Sequence, residues 1–142
     1  MQRENEVQQV FLVEAKSLGA YGGYETFVYK LTEYHQNKKN IKYHVACKAN
    51  GDGCMDEIKV DGVTRINDQE FEFHNVHCFK IDVPQIGPAQ AIYYDVAALK
   101  ACCKYIKEHR IKHPIVTSWP AVSDLLLVTS IKKSISWAVL CT

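Results

Sequence analysis

Nowhere in the 142 residues does an apolar run approach the ~18 residues that span a bilayer. The first apolar run, Val10-Phe11-Leu12-Val13, is too short for a secretory signal, and the residues ahead of it, Met1-Gln2-Arg3-Glu4-Asn5-Glu6, carry acids. The chain therefore reads as cytoplasmic. An excess of charge of one sign is also missing: 17 Lys and Arg against 16 Asp and Glu leave a net charge of +1. That argues against a general nucleic-acid binder, which needs many cations to neutralise phosphates. The six cysteines, Cys47, Cys54, Cys78, Cys102, Cys103 and Cys141, include no C-x-x-C pair, so neither a zinc knuckle nor a disulfide scaffold is indicated. Buried reduced thiols are the expected state. With 47% hydrophobic and 23% charged residues the chain is not mainly disordered, and its length suits one domain with its own core.

The pattern alternates strands and helices. Val7 to Val13 reads as a short buried strand that runs into Ser17-Leu18-Gly19-Ala20-Tyr21-Gly22-Gly23-Tyr24, a stretch with three glycines. From Tyr24 the residues Phe27, Val28, Leu31 and Tyr34 fall on one helical face, and Lys38-Lys39-Asn40 ends that helix. Ile41 to Cys47 reads as a second strand, broken at Asn50-Gly51-Asp52-Gly53. Ile58 to Ile66 alternates around Asp61-Gly62, the signal of a hairpin or of a tight turn between short strands, which need not belong to the main sheet. Phe73 to Val83 predicts another strand, stopped by Pro84. A long helix follows from Ala89 to Arg110, with Ile92, Val96, Leu99, Cys103 and Ile106 toward the core and Lys100, Lys104, Lys107 and Glu108 mostly opposite. His113-Pro114-Ile115-Val116 begins the next strand. Such units specify an α/β, Rossmann-like parallel sheet with helices on both faces.

In these sheets ligands bind beyond the carboxyl ends of the strands. The glycine loop sits there, and bare backbone N–H groups at Gly22 and Gly23 suit a diphosphate or another anion. The loop does not fit G-x-G-x-x-G, so a plain strand-to-helix turn accounts for the glycines equally well.

Gly22-Gly23-x-Glu25 followed by Val28 and Leu31 resembles the first loop and helix of family-4, GT-B type glycosyltransferases. Tyr21-Gly22-Gly23-Tyr24-Glu25-Thr26-Phe27-Val28, with Ile86-Gly87-Pro88-Ala89-Gln90-Ala91-Ile92-Tyr93-Tyr94-Asp95, resembles a narrower branch. That branch has a DUF1972-type N-terminal domain and includes rhamnosyltransferases of bacterial surface-polysaccharide synthesis. The resemblance spans Val10 to Val116. It implies the acceptor-side lobe of a two-lobed enzyme that moves a sugar from a nucleotide-sugar donor to a saccharide or lipid-linked acceptor, with no cofactor and no obligatory metal. The donor-binding lobe is not expected within this length, so the isolated chain reads as inactive. Tyr21, Gly22, Gly23, Tyr24 and Glu25 are the expected substrate-facing residues. Glu14 departs from the family, which usually has Gly there; a carboxylate beside a phosphate is repulsive.

Residues 1–116 read as this domain and 117–142 as a foreign tail. Pro120 falls where a central strand is due, and the residues from Val116 can be encoded so that one base restored after the Val116 codon gives, from Val116 onward, Val-Tyr-Ile-Leu-Ala-Cys-Arg-Ile-Gly-Pro, which resembles the family's next strand and glycine loop. The tail thus reads as out of frame.

Other constellations are weaker. His74 and His77, three apart on one predicted strand, point to opposite faces and cannot chelate one metal. His35 suits the end of the first helix, and His44 has no evident carboxylate partner. Glu25 and Asp95 are the acids to inspect for catalysis, although each serves equally as a first-turn helix acid. Lys100, Lys104, Lys107, Arg110 and Lys112 form a basic face that is either simply solvated or drawn to the anionic inner face of a membrane. The rival readings are a non-catalytic binding subunit that complements a separate donor lobe, and a degenerate gene product.

Overall fold

A computed structural model describes residues 6–13, 15–18, 22–51, 53–55 and 60–117. The tail 118–142, Glu14 and Tyr21 lie outside the described residues. The elements run β1 (Gln8–Leu12), α1 (Gly23–His35), β2 (Ile41–Lys48), β3 (Val63–Arg65), β4 (Glu70–Phe73), β5 (Val76–Ile81), α2 (Gln90–Glu108) and β6 (Ile115–Thr117). One six-stranded sheet has the order β3-β4-β5-β2-β1-β6. β5, β2, β1 and β6 are parallel, as the α/β reading requires. β3 and β4 add an antiparallel edge.

Two cores lie on the two faces of the sheet. Phe11, Ala46, Phe79 and Ile81 pack under α2 with Tyr94, Ala98, Leu99, Cys102 and Ile106. Leu12, Val45, Cys47, Phe71 and Cys78 pack under α1 around Val28. β2 and β5 are buried on both faces over most of their length, which is why they read as nearly continuous apolar runs.

Several expectations are corrected in detail. The segment Phe73 to Val83 is not one strand. His74 and Asn75 take left-handed conformations (φ 47° and 67°) and form the two-residue turn between β4 and β5, in which Phe73 pairs with Val76. His74 is therefore in a turn while His77 lies in β5. Gly62 (φ 85°) turns the chain into β3 as the Asp-Gly signal implies, and β3 joins the edge of the main sheet, paired with β4. The buried stripe of α2 is Tyr94, Ala98, Leu99, Cys102 and Ile106; Ile92 is exposed. On α1 the buried residues are Glu25, Val28 and Thr32, whereas Phe27 and Tyr34 face outward. Thr32 is tolerated inside because its hydroxyl donates to the Val28 carbonyl at 2.9 Å, within its own helix. Cys47, Cys78 and Cys102 are buried thiols as expected, but Cys54 is exposed.

Candidate functional site

The chain leaves β1 through Val13 and Ala15 to Ser17 and Leu18, all buried, then enters α1 at Gly22. Glu25, in the first helical turn, is buried and turns back: its Oε1 accepts from the Lys16 backbone N–H at 3.3 Å. A side-chain carbon on Gly22 would come within 2.6 Å of Glu25 Oε2. Gly22 thus makes room for a carboxylate of its own chain. Tyr24 donates its hydroxyl to the Val13 carbonyl at 3.1 Å, which ties the helix start to the end of β1. Of the five residues singled out in the loop, Gly22, Gly23, Tyr24 and Glu25 are gathered at this corner; Tyr21 lies outside the described residues.

Gly23 has no heavy atom within 4 Å of the position a side-chain carbon would take. Its backbone is helical, so Gly23→Ala should leave thermal stability unchanged or raise it by up to about 1 kcal/mol. A melting curve checks this. Loss of stability would mean that the turn itself requires the glycine.

A cleft opens on the other side of β1, beneath the start of α2. Its volume is about 320 Å³, and its walls include Lys16, Lys48, Pro88, Gln90, Tyr94 and Asp95. Lys16 and Lys48 come together because the Lys48 backbone N–H donates to the Lys16 carbonyl at 2.9 Å. The buried Tyr94 hydroxyl lies between the Ala15 carbonyl and the Ala46 carbonyl, 2.8 Å from the latter, and so fixes α2 to the ends of β1 and β2. Burial pushes that hydroxyl well above the usual tyrosine range. Asn50 clamps the exits of β2 and β5: its amide donates to the Val83 carbonyl at 3.0 Å and accepts from the Val83 N–H at 2.8 Å.

Asp95 is the acid of this cleft. Burial pushes its carboxyl up to about 6, against the pull of the Lys16 ammonium. A carboxyl that titrates near neutrality can accept or hold a proton from a bound hydroxyl. Two lysines, a carboxyl with a raised proton affinity and the first turn of a helix thus line one space, an arrangement suited to an anionic, hydroxyl-bearing ligand. Glu25, the other acid named from the sequence, is engaged with the loop backbone. Sequence reasoning missed Lys16, Lys48 and Tyr94 because their meeting depends on two strand ends and a helix far apart in the chain.

Among the described residues no group of three or more His, Cys, Asp or Glu side chains is placed to hold a metal ion, and no helix is long and apolar enough to cross a membrane. Lys100, Lys104, Lys107, Arg110 and Lys112 are all exposed. His35 does close α1, with its Nδ1 2.8 Å from the Tyr43 hydroxyl.

An α/β domain with its cleft at the carboxyl ends of parallel strands belongs to the broad class of Rossmann-like lobes. The family described as Domain of unknown function (DUF1972) matches residues 7–134, and the chain belongs to that family. No curated protein matches the chain.

Proposed function

We propose that this domain is the acceptor-side lobe of a glycosyltransferase that moves a sugar from a nucleotide-sugar donor to a saccharide or lipid-linked acceptor in surface-polysaccharide synthesis, of the family-4, rhamnosyltransferase-like branch. DUF1972 domains are found at the N-terminus of glycosyltransferases. The observation that carries the reading is the cleft where Lys16, Lys48 and Asp95 meet at the strand ends. The two ammonium groups attract the phosphate of a donor or of a lipid-linked acceptor, and Asp95 accepts a hydrogen bond from a sugar hydroxyl. Gly22, Gly23, Tyr24 and Glu25 shape the neighbouring loop, with Gly23 giving open access to backbone. The exposed basic residues of α2 and the segment after it support peripheral contact with an anionic membrane, where a lipid-linked acceptor resides.

A titration of the chain with a short-chain polyprenyl-diphosphate saccharide and with a panel of nucleotide-diphosphate sugars tests the reading. Binding should perturb the amide signals of Lys16, Lys48 and Asp95, and Lys16→Ala with Lys48→Ala should weaken it about tenfold or more, since charged hydrogen bonds contribute about 1.5–3 kcal/mol each. Binding unaffected by the double substitution, or no binding by any member of the panel, would overturn the assignment. The out-of-frame origin of residues 117–142 belongs to the same proposal, and the DNA across the Val116 codon decides it; the family match includes part of that segment.

A further inference from the structure

At the other end of the sheet, under the last turns of α2, four side chains from four strands form one hydrogen-bonded line. His44 Nε2 lies 2.5 Å from Gln9 Oε1, His44 Nδ1 lies 2.8 Å from His77 Nδ1, and His77 Nε2 lies 2.7 Å from Glu70 Oε1. The two imidazoles are 2% and 5% exposed. Phe11 stacks on His44 at 4.4 Å, and Tyr105 lies 4.9 Å from both rings.

The protons of this line can be counted. Gln9 Oε1 and an ionised Glu70 only accept, so both Nε2 atoms must carry hydrogen, and the Nδ1 pair must share one more. Three protons on two rings is one more than two neutral imidazoles hold. With both imidazoles neutral and Glu70 ionised, every contact is satisfied only if the Gln9 amide is turned over. Its NH₂ then donates to His44 Nε2, His44 Nδ1–H donates to His77 Nδ1, and His77 Nε2–H donates to Glu70. The two ends of an amide exchange at no steric cost.

We propose that Gln9, His44, His77 and Glu70 form a proton-operated switch: the line takes up one proton as a unit, the Gln9 amide turns over to present its oxygen, and the added hydrogen sits on His44 Nε2 while the Nδ1 pair keeps the hydrogen it shares. The charged and titratable groups around it act in both directions. Glu70 and Glu72 of β4 favour loading, Lys42 of β2 and His109 of α2 oppose it, and Tyr105 of α2 closes the line from solvent. Burial holds both imidazoles below the ordinary histidine range. The unloaded arrangement therefore prevails at neutral pH.

Imidazole ¹⁵N–¹H correlation spectra of the intact chain test this. At pH 7.5 His44 should carry its hydrogen on Nδ1 and His77 on Nε2; on acidification the two rings should respond together and His44 should gain an Nε2–H signal. His44 already protonated on Nε2 at pH 7.5, or two rings titrating separately near the unperturbed value of about 6.5, would overturn the proposal. Gln9→Glu, which offers only acceptors when ionised, should strengthen proton uptake about tenfold or more. Unchanged uptake in a variant with a folded amide spectrum would also overturn it, and the tautomers of the unsubstituted chain decide the matter if that variant does not fold.

Discussion

Replacing Phe11 by alanine should destabilise the domain by about 3–5 kcal/mol at pH 7.5, a large part of the stability of a domain this size. Phe11 is fully buried on β1, an interior strand of the sheet, paired in register with His44 on one side and Val116 on the other. Its ring lies flat against His44, with an interplanar angle of 11°, and 6.0 Å from Tyr105. Strand backbones on both sides fix the walls of the resulting cavity, so little collapse is available to offset the loss. The cavity would also bring solvent to His44. A chemical denaturation curve should therefore show the loss of stability, and the His44 ring should titrate closer to its ordinary value. A loss below about 1 kcal/mol would mean that the sheet does not hold this ring as described.

The second large effect concerns acid, where two sites act with opposite sign. His44 is held down to about 3 by burial and by the neighbouring His77, so below about 6.5 the unfolded chain binds a proton that the folded chain refuses. Its contribution to stability is complete above about 6.5 and is lost as the pH falls toward 3. Between pH 7.5 and 4.5 that loss amounts to about 3 kcal/mol. His77 is shifted in the same direction by the same burial. Asp95 does the reverse. Its carboxyl is raised from 3.8 to about 6, so its penalty is absent below the ordinary carboxylate range, develops as the pH rises between those two values and is complete above about 6. Acidification from 7.5 therefore relieves Asp95 while it penalises the histidines, and the two partly cancel.

Asp95→Asn removes the compensation. The variant should be more stable than the parent at pH 7.5, by about 1 kcal/mol after discounting for the partly solvated carboxyl, and its stability should fall more steeply below pH 6.5. Denaturation midpoints measured every half pH unit from 7.5 to 4.5 check both statements. Parallel curves for parent and variant would show that Asp95 does not titrate with the raised value its burial requires.

The alternation of elements was legible because β2 and β5 are buried on both faces over most of their length and bounded by turn residues, while α1 and α2 carry their polar residues in phase. What escaped the sequence depended on a third dimension. The β4–β5 turn uses His74-Asn75, a pair that does not announce left-handed backbone as Asn-Gly does. The buried side of α2 is built on Tyr94, whose ring is apolar and whose hydroxyl finds two carbonyls, while Ile92 faces outward; hydrophobicity alone ranks them the other way. Glu25 sits inside because the loop offers it the Lys16 N–H, a partner invisible to helical periodicity. The glycine corner could be found by its composition. Lys16, Lys48 and the His44–His77 contact could not, since each joins residues that only strand order brings together.

The double hydrogen bond between Asn50 and Val83 has a mechanical consequence for the cleft. It locks the two connections that leave neighbouring parallel strands into a single stiff rim, which cannot hinge open one side at a time. Under the function proposed above, a ligand arriving between Lys16 and Asp95 meets a seat already shaped on that side, with little backbone freedom left to surrender on docking. That rim contributes no closing movement of its own.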